Sequence, residues 1–311
     1  MNQYKPEGSL ISTFQNHEYI SSQKGLERAL EKQIILEAPA VLCDHDFNLH
    51  VALGGGIKGI IPRCEVQYAK NEDTKDIAIL TRVGKAVSFI VTGFTRDARG
   101  NTVAVLSRRQ AQIECCMNYI STLACGDVIP ARVTHLEGFG AFVDIGCGII
   151  SLLSIDSISV SRINHPSARL TVGDEIFTVV KSIDERGRIF VSCRELLGTW
   201  QENAEHFSEG QTVCGIVRSI EEYGVFIELK PNLAGLAEFK DEVRVGDCAA
   251  VYIKSIIPEK MKIKLIIIDA YESKERLAPL EYFINTDEVR HIDEWTYSPP
   301  LSHRVIETVF N

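Results

Sequence analysis

Apolar and polar residues alternate over short stretches along most of the chain. In the middle, VIPARVTHL, FGAFVDIG, IISLLSI, EIFTVVKSID and RIFVSCRE are five β-rich stretches separated by Gly-containing or polar turns of hairpin length. Five strands within about 70 residues, with one long connection, match a five-stranded OB barrel, whose closure removes most exposed sheet edges. The turn DERG ahead of the last strand supplies the Gly a tight hairpin needs. The connection 156–171, DSISVSRINHPSARLT, is polar and broken by Pro166, so it is expected as loop or a single helical turn.

The pattern repeats. Residues 126–145, GDVIPARVTHLEGFGAFVDI, reappear without a gap 84 positions later as 210–229, GQTVCGIVRSIEEYGVFIEL. Phe139 falls on Tyr223, Gly140 on Gly224, Phe142 on Phe226 and Asp144 on Glu228. VGDEIFTVVKSI (172–183) is echoed by VGDCAAVYIKSI (245–256) at an offset of 73, so the later copy lacks eleven residues of its middle connection. A length change of that kind is cheap only in a surface loop. A fainter early copy aligns VGKAVSFIVTGF (83–94) with the same strand and GGIKGIIPR (55–63) with GCGIISLLS (146–154), which puts Phe47 and His50 at the aromatic pair.

The chain is therefore expected to be all-β, with three tandem five-stranded OB barrels and short helical N-terminal, linker and C-terminal segments. The bounds are 1–33 for a helical segment, 34–114 for a degenerate first barrel, 120–197 for the second, 198–209 for a linker helix, 210–270 for the third and 271–311 for an extension. Leu26, Ala29 and Leu30 follow Ser21 and Ser22 at helical spacing. Thr199-x-x-Glu202 is a capping box, with Leu197 and Trp200 to pack against, and suggests a semi-rigid spacer. The extension begins helically (YESKERLAPL) and ends strand-like after Pro299-Pro300, with no legible role.

Charge complicates a nucleic-acid reading, because 33 basic against 42 acidic residues leave a net charge of -9. The acid is concentrated toward the C-terminus, so the first two barrels can still offer basic faces, with modest and salt-dependent affinity. No apolar run approaches the roughly 20 residues of a membrane helix, and MNQYKPEGSLISTF is not a signal peptide, so a cytoplasmic protein without a membrane partner is expected. Nine scattered cysteines without a C-x-x-C pair point to reduced, mostly packed thiols, not disulfides or zinc.

Catalytic signatures are weak. GGGIKG (54–59) lacks the GK[ST] end of a phosphate loop, and GFGAFV opens no helix. The eight His show no metal-ligand spacing, no G-x-S-x-G marks a nucleophile, and Cys115-Cys116 are adjacent thiols near a domain boundary. No catalytic residue, metal or cofactor is expected, and the chain reads as a non-enzyme.

Phe139 and Phe142 suit a different chemistry. Single-stranded bases expose flat π faces that stack on Phe or Tyr, while Arg and Lys meet the sugar-phosphate chain. A core role is the competing reading, since residues three apart on a strand point to opposite faces unless Gly140 allows a bend. Arg132, Lys181 and Arg194 are candidates for phosphate contact or for ordinary solvated surface.

The second and third units resemble the S-one RNA-binding domain, and the stretch from SRINHPSARLTVGDEIFTVVKSIDERGRI through ELLGTWQENAEHFSEGQTVCGIVRSIEEYGVFIELKPNLAGLAE resembles short three-unit bacterial homologues of the small-subunit ribosomal protein of that name. The resemblance implies an RNA face of two aromatics on the second strand, a His after the third, and an Asp and Arg around the last hairpin. The second unit matches with Phe139, Phe142, Asp184 and Arg188, with Ser154 in place of the His. The third keeps Tyr223 and Phe226 but has Glu238 at the His position, Ile257 at the Asp and Lys262 near the Arg, so its face is half equipped. The first offers Phe47, His50, Lys58 and Arg63, lacks FGAF, and is expected to dock or scaffold. The implied partner is single-stranded RNA, messenger RNA above all, in connection with the small ribosomal subunit. The alternative is a protein-protein adaptor that docks through the acidic third unit and tail.

Overall fold

The computed structural model describes residues 4–68, 75–272 and 279–310. Three five-stranded barrels follow one another, as the alternation predicts. The first is built from β1 (Leu36–Cys43), β2 (Leu49–Ala52), β3 (Lys58–Ile61), β4 (Ala86–Arg96) and β5 (Thr102–Ser107), closed in the order β1-β2-β3-β5-β4. The second uses β6 (Val128–Glu137), β7 (Gly140–Asp144), β8 (Ile150–Ser154), β9 (Glu175–Ile183) and β10 (Ile189–Ser192). The third uses β11 (Thr212–Glu221), β12 (Gly224–Lys230), β13 (Leu233–Ala237), β14 (Cys248–Ile257) and β15 (Lys262–Tyr271). In every barrel the third and fifth strands pair in parallel, which closes the ring.

Inward positions are apolar. Val217, Val225, Ile227, Val251, Ile253 and Leu265 fill the third barrel, with Leu36, Leu49, Val51, Ile61, Phe89 and Leu106 in the first. Two compact units result. One holds residues 1–123, 130–132 and 144–150, and the other holds 124–129, 133–143 and 151–311.

The N-terminal segment forms two helices, α1 (Phe14–Ile20) and α2 (Gln23–Lys32), capped by the side chains of Thr13 and Ser22. Leu26 and Ala29 of α2 are buried in the first barrel's core. A short α3 (Asp76–Leu80) precedes β4, and α4 (Arg108–Asn118) follows β5 with Ser107 as its cap. The hydrophobic pattern does not announce α4, because its buried side includes Arg108 and Gln112. Arg108 Nε donates to Glu7 Oε1 at 2.6 Å, and Gln112 Nε2 donates to the Cys147 carbonyl at 3.1 Å. The connection 156–171 carries one 3-10 turn of its own, Pro166–Ala168, after another at Ile155–Ser157.

The capping box is present: Thr199 Oγ1 accepts from the Glu202 amide at 3.2 Å, and Glu202 Oε2 accepts from the Thr199 amide at 2.7 Å. The helix it starts, α5 (Trp200–Ala204), is not a free spacer, because Trp200 lies in the third barrel's core with Trp295 and Tyr297. Those last two aromatics come from the C-terminal extension. Its helical start, YESKERLAPL, falls largely on residues 273–278, outside the described ones. Residues 279–310 form a strap within the second unit. The Arg290 carbonyl accepts from the Val128 amide and the Gly126 carbonyl from the Ile292 amide, both at 2.9 Å. Tyr282 Oη accepts from the Phe177 amide at 2.8 Å, and Tyr297 Oη donates to the Asn232 carbonyl at 2.5 Å. The strand-like finish is a hairpin of β16 (Glu294–Thr296) and β17 (Glu307–Val309), with the proline pair between them. Burying two large aromatics and Phe310 gives this acidic segment its reason to fold back.

Candidate nucleic-acid interface

The aromatic pair resolves the spacing problem through the turn. β6 ends at Glu137 and β7 begins at Gly140, so Phe139 sits in the hairpin turn and not on the strand. Its ring is 57% exposed, and it meets half-buried Phe142 edge-on, with centroids 6.0 Å apart at 89°. The third barrel builds the same pair: Tyr223 is 70% exposed and lies 5.9 Å from Phe226, again at 89°. A side chain at Gly140 would place Cβ 2.5 Å from the Leu153 carbonyl oxygen, and at Gly224 2.4 Å from that of Ala237. Glycine here lets the second strand run close against the third and throws the preceding aromatic outward.

Strand register extends each pair into a row across the outer face. In the third barrel Ser219 pairs with Phe226, Phe226 with Leu236 and Leu236 with Lys264. In the second, His135 stacks on Phe142 at 6.2 Å and 23°, and Leu152 pairs with Phe190. The 84-residue offset carries Phe226 and Leu236 onto Phe142 and Leu152, so the row reads His135, Phe142, Leu152, Phe190. In the first barrel the row is Leu42, His50, Ile60, Val105. The second barrel thus has three ring systems in line, whereas the third has one ring and a lysine. His135 and Phe190 escape the sequence reading; the signal for Phe190 was its place two residues after Arg188, at the start of the last strand.

Arg188 is held in place. Its Nε donates to Asp184 Oδ2 at 2.7 Å, while Asp184 Oδ1 accepts from the amides of Arg186 at 3.0 Å and Arg188 at 2.8 Å. These bonds, the Arg188 amide first, hold the Asp184 carboxyl below its ordinary value. Asp184 therefore positions Arg188, whose side chain stays 66% exposed. The first barrel has the same turn in DARGN, where Asp97 accepts from the Arg99 and Asn101 amides, both at 2.9 Å, with Asn101 standing where Arg188 does. The third lacks it: Pro258–Lys260 form a 3-10 turn ahead of exposed Lys262, which pairs with Ile257.

The other expected residues are placed differently. Ser154 Oγ donates to Ser157 Oγ at 2.9 Å, and Lys181 Nζ donates to that same oxygen at 2.9 Å. Glu238 is exposed and follows Ala237, which pairs with Val225 on the neighbouring strand. Phe47 takes a left-handed turn conformation (φ 62°) and lies under the Arg63 guanidinium at 5.0 Å, and Arg63 is bound in turn to Asp76 at 2.7 Å. His50 Nε2 lies 3.0 Å from Asp44 Oδ2. Burial pushes the Asp44 carboxyl up, but bonds from Asn48, His50 and Asp46 outweigh it and leave it at about 2. Among the described residues Phe47 and His50 form no ring pair like those of the later barrels. Lys58 is exposed. Arg194 is bound to Glu195 Oε1 at 3.0 Å, and Arg132 Nη1 reaches the Glu7 carbonyl at 3.4 Å, so both already serve the fold.

Among the described residues no group of three or more His, Cys, Asp or Glu is placed to hold a metal, and no helix is long and apolar enough to cross a membrane. Cys115, Cys147, Cys193 and Cys248 are buried, while Cys64 and Cys214 are exposed.

Closed five-stranded barrels in tandem, with an exposed aromatic row and a turn-held arginine on the second, define a class: a tandem OB-barrel array. The comparisons make the resemblance specific, since the family model described as S1 RNA binding domain matches residues 122–194, the span of the second barrel. The chain is similar to the small ribosomal subunit protein bS1 homolog of Bacillus subtilis, 29% identical over 231 residues, covering 72% of this chain and 57% of that protein. It is also similar to bS1 of Mycolicibacterium smegmatis, 27% identical over 299 residues, covering 89% of this chain and 59% of that protein. It matches the solution structure of GSP13 from Bacillus subtilis at 31% identity over 24% of this chain and 57% of that one, with a TM-score of 0.23. The chain spans less than two thirds of the length of these bS1 relatives.

Proposed function

We propose that this chain binds single-stranded RNA, messenger RNA in association with the small ribosomal subunit, in the cytoplasm and without doing chemistry on it. The observation that carries the reading is the second barrel's row of His135, Phe142 and Phe190, with Phe139 at its edge and Arg188 exposed in the turn that leads into Phe190's strand. Each ring offers a stacking surface worth about 1 to 3 kcal/mol per base, and the arginine meets the phosphate chain. The third barrel, with one paired ring system and an exposed Glu238, contributes less, and the first serves as scaffold. The similarity to bS1 proteins supports the ribosomal setting. A docking role for the acidic tail draws less support, because its Trp295, Tyr297 and Phe310 are already spent in packing.

The test is binding of labelled single-stranded RNA and of matched duplex to the full chain and to Phe139→Ala/Phe142→Ala, with ribosome co-sedimentation alongside. Preference for the single strand, lost in the double variant with the fold intact, is the expected result. Equal binding of strand and duplex, or binding indifferent to the two rings, refutes it.

A further inference from the structure

A second feature of the same unit is not used by the platform. Between the connection that follows β8 and the C-terminal strap lies a cavity of about 420 Å³, within the size range of small-molecule sites. Its wall includes Arg162, Arg194 and Arg304, with Asn164 and Ile306, and its only carboxylate is Asp156. Arg194 is neutralised by its ion pair with Glu195, so Arg162 and Arg304 against Asp156 leave a local positive excess in an acidic chain.

The three arginines are differently held. Arg194 is fixed by Glu195 and by Thr308 Oγ1, each at 3.0 Å, and its guanidinium lies 6.0 Å from the Trp295 ring. Arg162 and Arg304 are exposed, and among the described residues no carboxylate pairs with either. Two unpaired forks beside a fixed one suit a group with several acceptor oxygens, which planar guanidinium binds in bidentate fashion. The cavity also adjoins the base platform: the amide of Ile155, in its wall, donates to the Phe139 carbonyl at 2.9 Å.

We propose that this cavity is a phosphate-binding site, with Arg162 and Arg304 as the grasping groups and Arg194 as the fixed one. The phosphate has two sources, a free nucleotide or the strand running off the platform. The strand source rests on the RNA reading above; the nucleotide source does not.

The experiment uses the full chain and Arg162→Ala/Arg304→Ala, whose melting curve should match the parent because both side chains are exposed. Adenosine monophosphate and adenosine are titrated by calorimetry at low salt, and an eight-nucleotide single-stranded RNA by anisotropy across salt. Binding of the monophosphate but not of adenosine, weakened at least tenfold in the variant, identifies the nucleotide source. A silent monophosphate with RNA affinity reduced at least tenfold, and a salt slope smaller by about 1.4 for two lost contacts, identifies the strand. Indifference of both probes to the variant, or adenosine bound as tightly as its monophosphate, overturns the site. Repeating the monophosphate titration on Phe139→Ala/Phe142→Ala separates the two readings, since loss of the platform leaves that signal unchanged.

Discussion

Glu228 is the sharpest place to test how the second unit is held together. Its carboxylate accepts from Arg169 Nη1 at 2.6 Å and Nη2 at 2.5 Å, and from Arg218 Nε and Nη2, both at 2.9 Å. The side chains of Arg169, Glu228 and Arg218 are 5%, 6% and 15% exposed, so little water screens them. Two guanidiniums and one carboxylate carry a charge of about +1. Arg169→Ala reduces it to zero and leaves the Glu228–Arg218 pair whole, so the loss is the bidentate pair with Glu228, the longer bonds to Ser159 Oγ at 3.2 Å and some packing, about 2 to 3 kcal/mol with the bidentate pair taken as one interaction. Glu228→Gln keeps the shape but leaves two buried cations facing one another, and unpaired buried charge costs about 3 to 5 kcal/mol. The smaller chemical change is therefore expected to be the more damaging. Denaturant unfolding, followed by Trp200 and Trp295 fluorescence from the second unit, measures both. Arg169→Ala matching or exceeding Glu228→Gln would refute the charge argument and leave packing as the larger contribution.

Three further outcomes follow from the same structure. Tyr223→Ala should weaken RNA binding by less than Phe139→Ala, which should cost about 1 to 3 kcal/mol in affinity, when both are measured by anisotropy at one salt concentration. Arg188→Ala should lower the slope of log affinity against log salt by about 0.7, and Asp184→Ala should produce part of that change by releasing the arginine. Two buried sites, one in each unit, should answer pH in opposite senses, read by hydrogen exchange of the amides around each. Glu37 and Asp144 of the first unit are pushed up to about 7, chiefly by burial, so their contribution is full below their unfolded values and is lost as pH rises through about 7. Burial alone would raise Glu228 of the second unit, but Arg169 and Arg218 hold it below the ordinary carboxylate range, so its contribution is present above about 4.5 and is lost on acidification below that.

The barrels were legible because their signal is local. Alternation marks each strand, and a gapless 84-residue offset fixes the second and third hairpins against one another. The all-β tandem architecture and the S-one resemblance are borne out on that basis. What stayed hidden depends on distant partners. Arg108 and Gln112 look like surface helix residues until Glu7, 101 positions from Arg108, supplies a buried carboxylate to the first and the Cys147 carbonyl accepts from the second. Trp200 looks like a spacer residue until Trp295 and Tyr297 return to cover it. The aromatic pair was legible as composition, but its geometry was not, since the spacing of three residues places both rings together only once Phe139 lies in the turn. The Asp97 turn of the first barrel was readable in DARGN and was obscured by the weaker match around it.

The repeat also preserves an acid whose meaning only burial reveals. Asp144 and Glu228 occupy one position, and both are buried, at 2% and 6% exposure. Each needs donors. Asp144 takes them from the backbone, accepting from the Glu7 amide at 2.7 Å and from Gly146 at 2.8 Å, whereas Glu228 takes them from two arginine side chains. Burial first, and then the Glu7 carboxylate, push the Asp144 carboxyl up against the smaller pull of the amides and of Arg108; burial also works against Glu228, but the bonds and charges of its two guanidiniums hold it down. An acid at this position is therefore absent from the outer surface that carries the aromatic row. At the second barrel that acid, Asp144, is 2% exposed, so it places no carboxylate on the surface that carries Phe139 and Phe142.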